Sequence, residues 1–256
     1  MNDDLNKDTT GNSNWAQPVS RLKASQVPPG AINLNVEGRQ VTGPFQGFGQ
    51  LWQKTYRVRL DGVALSPEEV MQVWLRKFAQ LQPPENHFHF SSDTVQPGDL
   101  IFIDTFLPTY PGSKGVIPLA SGVMVMYMDS TSMTVITPEG HPEAGWNTFS
   151  TYLEDGTVIA QIQSYARAAD PIYEFDLRFM GGARVQESTW KHVLTALANE
   201  LNCSAPVEMS KVCLDPSLQW SAAKNVWKNA GLRTMLHRLS TPFTRSRGKT
   251  GQGRIQ

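Results

Sequence analysis

Trp146-Asn147-Thr148-Phe149-Ser150-Thr151-Tyr152-Leu153-Glu154-Asp155-Gly156-Thr157-Val158-Ile159-Ala160-Gln161-Ile162-Gln163-Ser164-Tyr165 is the stretch on which the fold turns. Asp155-Gly156 is the strongest short-range hairpin signal in a sequence, because both residues tolerate the positive φ that a two-residue turn needs to match strand twist. That turn sets Trp146 opposite Tyr165 and Phe149 opposite Ile162. One face then carries Phe149, Thr151, Leu153, Val158, Ala160 and Ile162, which is expected to be the core face. The other carries Trp146, Thr148, Ser150, Tyr152, Ile159, Gln161, Gln163 and Tyr165, a mixture suited to solvent or a partner.

Upstream, Gly122–Met128 and Met133–Thr137 extend the hairpin into a meander. In the first of them Val123, Val125 and Tyr127 alternate with Met124, Met126 and Met128. A methionine row is usually core filler, but soft side chains also line adaptable cavities. Further back, Pro97-Gly98 precedes a strand over Asp99–Phe106, and Pro108 to Pro118 reads as a long loop. Trp52–Leu60 is another strand, ended by Asp61-Gly62. Between these strands Ser66, Pro67 and Glu69 make a capping box with proline at the first helical position. Val70, Trp74, Phe78 and Leu81 give that helix one apolar stripe, and Pro83-Pro84 stops it. Downstream, Trp190, Val193, Leu194, Leu197 and Leu201 recur at helical spacing over Glu187–Leu201.

Strand, helix, several antiparallel strands and a long final helix imply an α+β layer, because each amphipathic helix must bury its stripe against the apolar face of the sheet. The expected fold is helix-grip: a curved antiparallel sheet wrapped around a long C-terminal helix, with polar N-terminal and basic C-terminal extensions. The divisions read from composition are a mobile polar segment at 1–40, a domain at 41–202 and a basic extension at 203–256. The 40% hydrophobic content of the 256-residue chain excludes global disorder. Lys and Arg number 23 and Asp and Glu 23, but nine of the bases and only two of the acids fall in 203–256. An acidic body therefore carries a basic tail. The polar start shows no secretory signal, and Gly115–Met128 is too short and broken to span a bilayer, so a cytoplasmic protein is expected.

Three segments look familiar: Leu51–Val58, Thr137–Trp146 and Arg167–Glu174, the second holding Gly140-His141-Pro142-Glu143 just before a Phe-bearing strand. They resemble the DUF1990-like branch of the START/SRPBCC superfamily over roughly Phe48 to Leu201. The resemblance implies a START-like helix-grip fold with an internal cavity that binds apolar or amphipathic small molecules, in some members as enzymes.

The hairpin register brings the loop of Glu139, His141 and Glu143, which enters at Trp146, beside the segment of Arg167, Asp170 and Tyr173, which leaves at Tyr165. Glu139, His141, Trp146, Arg167, Asp170 and Tyr173 are thus the candidate ligand-binding residues at one end of the sheet. A histidine with carboxylates and an arginine at a cavity mouth suits a polar head group, or acid and base chemistry, since histidine titrates near neutrality. The structural alternative is a clasp in which Arg167 ties the loop down. His87 and His89 lack a third ligand at metal spacing, Cys203 and Cys213 have no nearby base, and no serine elbow, phosphate-cradling glycine loop or zinc motif is present.

Trp220, Trp227, Met235, Leu236 and Leu239 lie among Lys224, Lys228, Arg233 and Arg238, so the tail suits either an anionic membrane surface or acidic partner, or packing on the acidic body. No module for specific nucleic-acid recognition accompanies these bases. The function expected is binding of an apolar or amphipathic small molecule in a space of roughly 300 Å³ or more, with fatty or aromatic acids as test ligands and no cofactor. The alternatives are a cavity enzyme with His141 as acid or base, oriented by Glu139 or Asp170, and a scaffold acting through the tail.

Overall fold

The first helix sits where its capping chemistry puts it. In the computed structural model, which describes residues 14–92, 94–107 and 117–240, α1 runs over Pro67–Arg76. Ser66 Oγ accepts from Glu69 N–H at 3.2 Å, and the Glu69 carboxylate accepts from Ser66 N–H at 2.7 Å. The helix ends at Arg76, short of Pro83-Pro84, yet Phe78 and Leu81 in the following turns remain buried on the same stripe. Most of the expected loop at Pro108–Pro118 lies outside the described residues, and Ile117 and Pro118 already belong to a strand.

The strands before α1 are β1 (Val41–Thr42) and β2 (Leu51–Arg59). After it come β3 (His87–Phe90), β4 (Leu100–Leu107), β5 (Ile117–Met128), β6 (Ser132–Pro138), β7 (Glu143–Glu154) and β8 (Thr157–Ala168). Then follow α2 (Pro171–Phe175), a π-helical turn at Asp176–Met180, α3 (Gly182–Glu200), β9 (Glu208–Asp215), a 3₁₀ helix at Trp220–Lys228 and α4 (Ala230–Ser240). Sheet order is β3-β4-β5-β6-β7-β8-β2-β9, antiparallel throughout, with β1 beside β6. β2 thus pairs with β8, the last strand of the meander, and the sheet closes over α1 and α3 in a helix-grip.

The hairpin register is as expected, Trp146 facing Tyr165 and Phe149 facing Ile162, with Asp155 at φ 51° and Gly156 at φ 77°. Phe149 is the hub of the inner core. Its ring meets Phe78 at 5.1 Å and Trp74 and Trp190 at 5.7 Å. Val193, Leu194 and Leu197 of α3 are fully buried against the same cluster. Leu153, expected in this core, is 62% exposed because it stands two residues from the turn. On the opposite face Ile159 is fully buried.

The N-terminal segment, expected to be mobile, packs on the body over its described residues, and the basic extension packs there too, one of the two alternatives open for it. Leu22 and Val36, in the segment read as mobile, are buried with Leu100, Phe102, Met124 and Ile136 on the outer face of the sheet. The segment is pinned by backbone bonds from Leu22 N–H to Arg39 O and from Ala16 N–H to Met126 O. Its own composition cannot offset its ordering entropy, but docking onto an existing apolar face can. The same cluster claims Met124 and Met126, and a bulge between Val125 and Tyr127 turns Met128 back toward the inner core. The methionine row is core filler on two faces.

In the basic extension, Glu208–Asp215 forms β9 on the free edge of β2, held by ladder bonds and not by side-chain burial, so no apolar alternation announced it. Beyond it, Asn229 Nδ2 donates to Asp170 at 2.8 Å, and Asn35 Nδ2 donates to Thr234 Oγ1 at 3.1 Å, all four residues being buried. Trp227 and Leu239 stay 85% and 81% exposed on the far side. Deleting Ser217 to Gln256 leaves Asp170 and Asn35 without these partners, at about 1–3 kcal/mol for each orphaned group. A large fall in the calorimetric melting temperature is expected. An unchanged one would show that the segment does not contribute to the fold. Among the described residues no helix is long and apolar enough to cross a membrane.

Candidate functional site

Alternation from Phe149 down β7 points Asn147 and Glu143 to the inner face, toward α3. There a cavity of about 190 Å³ opens between sheet and helix. Phe88, Ile103, Val135, Val185 and Trp190 supply its apolar wall, and His141, Glu143, Asn147, Asp176 and Gln186 gather as polar lining. Asn147 Oδ1 and Trp190 Nε1 are buried in that wall without hydrogen-bond partners.

His141 comes in on the turn that joins β6 to β7. Gly140 makes the turn possible: at φ +89° a Cβ there would lie 2.0 Å from Lys228 O. His141 Nδ1 lies 3.1 Å from Glu143 N and 3.0 Å from Glu143 O, so the backbone of Glu143 holds the ring in place. The ring is partly buried beside the cavity, and desolvation lowers its pKa to about 4, so it is neutral near pH 7. Burial raises the Glu143 carboxyl, which accepts from Gln186 Nε2, while Gln186 Oε1 accepts from Lys54 Nζ at 2.5 Å. This Lys54–Gln186–Glu143 chain borders a second, more polar recess of about 400 Å³ that also touches Trp52, Arg167, Glu174 and Arg178.

Of the six residues singled out from the sequence, His141 is the one that lines the inner cavity. The two segments are neighbours, since Ala169 N–H donates to Pro142 O at 3.0 Å, but their side chains part company. Glu143 pairs with Ala168 and Ala144 with Arg167, so Arg167 shares its face with Ala144 and turns away from the loop. Its guanidinium donates instead to Asp215 of β9 at 2.9 Å, in a strand the sequence reading did not contain. Trp146 stacks at a tilt on Tyr165, ring centres 6.0 Å apart, and packs against the outer cluster. Glu139 pairs with Lys228. Asp170 caps α2 through Ile172 and Tyr173 N–H, and the Tyr173 hydroxyl accepts from Gly231 N–H at 3.0 Å. Glu139, Asp170 and Tyr173 therefore clasp the chain end to the loop, and neither carboxylate orients His141.

Asn147, Asp176, Gln186 and Trp190 were not among the candidates. Asn147 was readable by counting two residues back from the core-facing Phe149. Asp176 and Gln186 were not, because their position depends on how α3 docks. His89 Nε2 lies 3.4 Å from Asp104 Oδ2, and among the described residues no group of three or more His, Cys, Asp or Glu is placed to hold a metal ion. No family model and no curated protein matches the chain. Among solved structures, a protein from Mycobacterium smegmatis is 13% identical with a TM-score of 0.41, over 64% of this chain and 96% of that one. The di-domain ARO/CYC StfQ of the steffimycin biosynthetic pathway is 10% identical at 0.44, over 60% of this chain and 51% of that one. A START superfamily protein from Mycobacterium smegmatis is 15% identical at 0.39, over 60% and 98%. Likeness at this level says nothing of function.

Proposed function

We propose that this protein binds one small, mostly apolar molecule in the cavity between its sheet and α3, and holds it without transforming it. The observation that carries this reading is the cavity wall itself. It is apolar over most of its area and converges on a few polar groups. That make-up is the one expected of a small-molecule site. At about 190 Å³ the space is smaller than the roughly 300 Å³ expected from the sequence. A ligand of one ring fits it, as a cavity of about 150 Å³ accepts benzene; a fatty acid does not. The enzyme alternative loses support, because Glu139 and Asp170 are engaged elsewhere. The narrower kinship with the DUF1990-like branch rests on Gly140-His141-Pro142-Glu143, the element that shapes the polar lining here.

Saturation-transfer NMR with benzyl alcohol tests the reading. Binding is expected to the native protein and to be lost in Val135→Phe, which enlarges a buried side chain of the wall. Absence of transfer, or transfer that survives the filled cavity in a folded variant, would overturn it.

A further inference from the structure

The chemistry of the cavity wall defines the charge of what it takes. Its ionisable groups among the described residues are His141, Glu143 and Asp176, and no lysine or arginine lines it. Lys54, whose charge acts on Glu143, borders the neighbouring recess, where Gln186 Oε1 at 2.5 Å and Glu187 at 3.8 Å hold it. The Asp176 carboxylate receives no hydrogen bond and meets no ion-pair partner among the described residues, although Leu177 and Gly182 beside it also line the space. Burial alone pushes it up to about 6, as expected of a charge lacking a counter-charge. Glu143 spends one oxygen on Gln186. Asn147 also lines the space, with its Oδ1 unpaired but covered by neighbouring atoms. Phe88, Phe149 and Trp190 line it as well.

An entering carboxylate would meet two carboxyl groups and no cation, and an uncompensated buried charge is among the costliest things a protein can hold. A protonated amine meets the opposite conditions: two carboxyl groups, one of them unpaired, and aromatic rings, which attract cations. We infer that the ligand of this cavity is a small aromatic or aliphatic amine bound as its ammonium ion, with the nitrogen directed to Asp176 and Glu143. This reverses the preference for acids expected from the sequence, which rested on Arg167 facing the loop. It rests on the cavity-binding reading above and names its ligand class.

The test is a matched series of benzylamine, benzyl alcohol and benzoate, titrated near pH 7 into the full chain by calorimetry or NMR shift mapping. Benzylamine should bind about tenfold or more tighter than benzyl alcohol, the ratio expected when a neutral hydrogen bond is replaced by a charge-assisted one, with benzoate weakest. Asp176→Asn should bring the ratio of benzylamine to benzyl alcohol affinity down to about one; a ratio that stays about tenfold in the folded variant would overturn the inference. Should that variant not fold, Glu143→Gln is expected to shrink the same ratio. Alcohol or benzoate binding as tightly as the amine would overturn the inference while sparing the cavity. Binding of none of the three would overturn the cavity reading itself.

Discussion

Leu194→Ala is expected to lower the free energy of unfolding by about 2–5 kcal/mol, the range for deleting a fully buried leucine side chain. Leu194 is fully buried in the middle of α3, between Val193 and Leu197, against the cluster that holds Tyr56, Phe149 and Ile162. β2 and β8 pack on α3, and neither can close over the gap without moving the other, so the cost should lie above that of a collapsible site. Urea unfolding with an unchanged m-value would measure it directly. A loss below about 1 kcal/mol would show that α3 is not gripped by the sheet. The neighbouring cavity sharpens the test, because a leucine facing the cavity in place of the core would cost less.

A second large effect concerns acid. His141 is held near pKa 4 in the folded chain by burial, against 6.5 in an unfolded one. The unfolded state therefore takes up its proton first as the pH falls. Stability contributed by the neutral ring is complete above pH 6.5 and is lost as the pH drops toward 4, a change of about 3 kcal/mol at 1.36 kcal/mol per unit. Asp176, raised to about 6, works in the opposite direction, since folding favours its protonated form. Glu143 and Asp170 are raised as well and share that sign. The His141 contribution is consequently read as a difference: native protein against His141→Gln, unfolded in urea at a series of pH values. The gap between the two should close by about 3 kcal/mol from pH 6.5 to 4. A gap independent of pH would mean that the ring titrates normally and is open to bulk water.

What the sequence determined by itself is everything governed by short-range rules. Asp155-Gly156 sets a turn whose geometry admits one register, and period-two alternation then carries Phe149 and Ile162 to one face without reference to the rest of the chain. Ser66, Pro67 and Glu69 start α1 through hydrogen bonds within one turn. The stripe of Val193, Leu194 and Leu197 needs a partner surface, and the sheet is the obvious one. The same alternation already contained the reason that Arg167 cannot join Glu143, because Ala144 and not Glu143 lies opposite it. Proximity along the sheet had been counted there, and side-chain direction had not.

Tertiary structure decided the contacts whose local cost exceeds their local gain. Residues 14–40 order only because the outer face offers them Leu100, Phe102 and Ile136. β9 lacks an apolar signature because an edge strand is held by backbone bonds, and it is β9 that supplies Asp215 to Arg167. The clasp of residues 228–231 on Gly140 and Tyr173 joins segments distant in the chain. The cavity belongs to this second class as well. Its volume, its unpaired Asp176 and its lack of a cation follow from how far α3 stands off the sheet and how it is rotated there, which depend on every side chain packed between them.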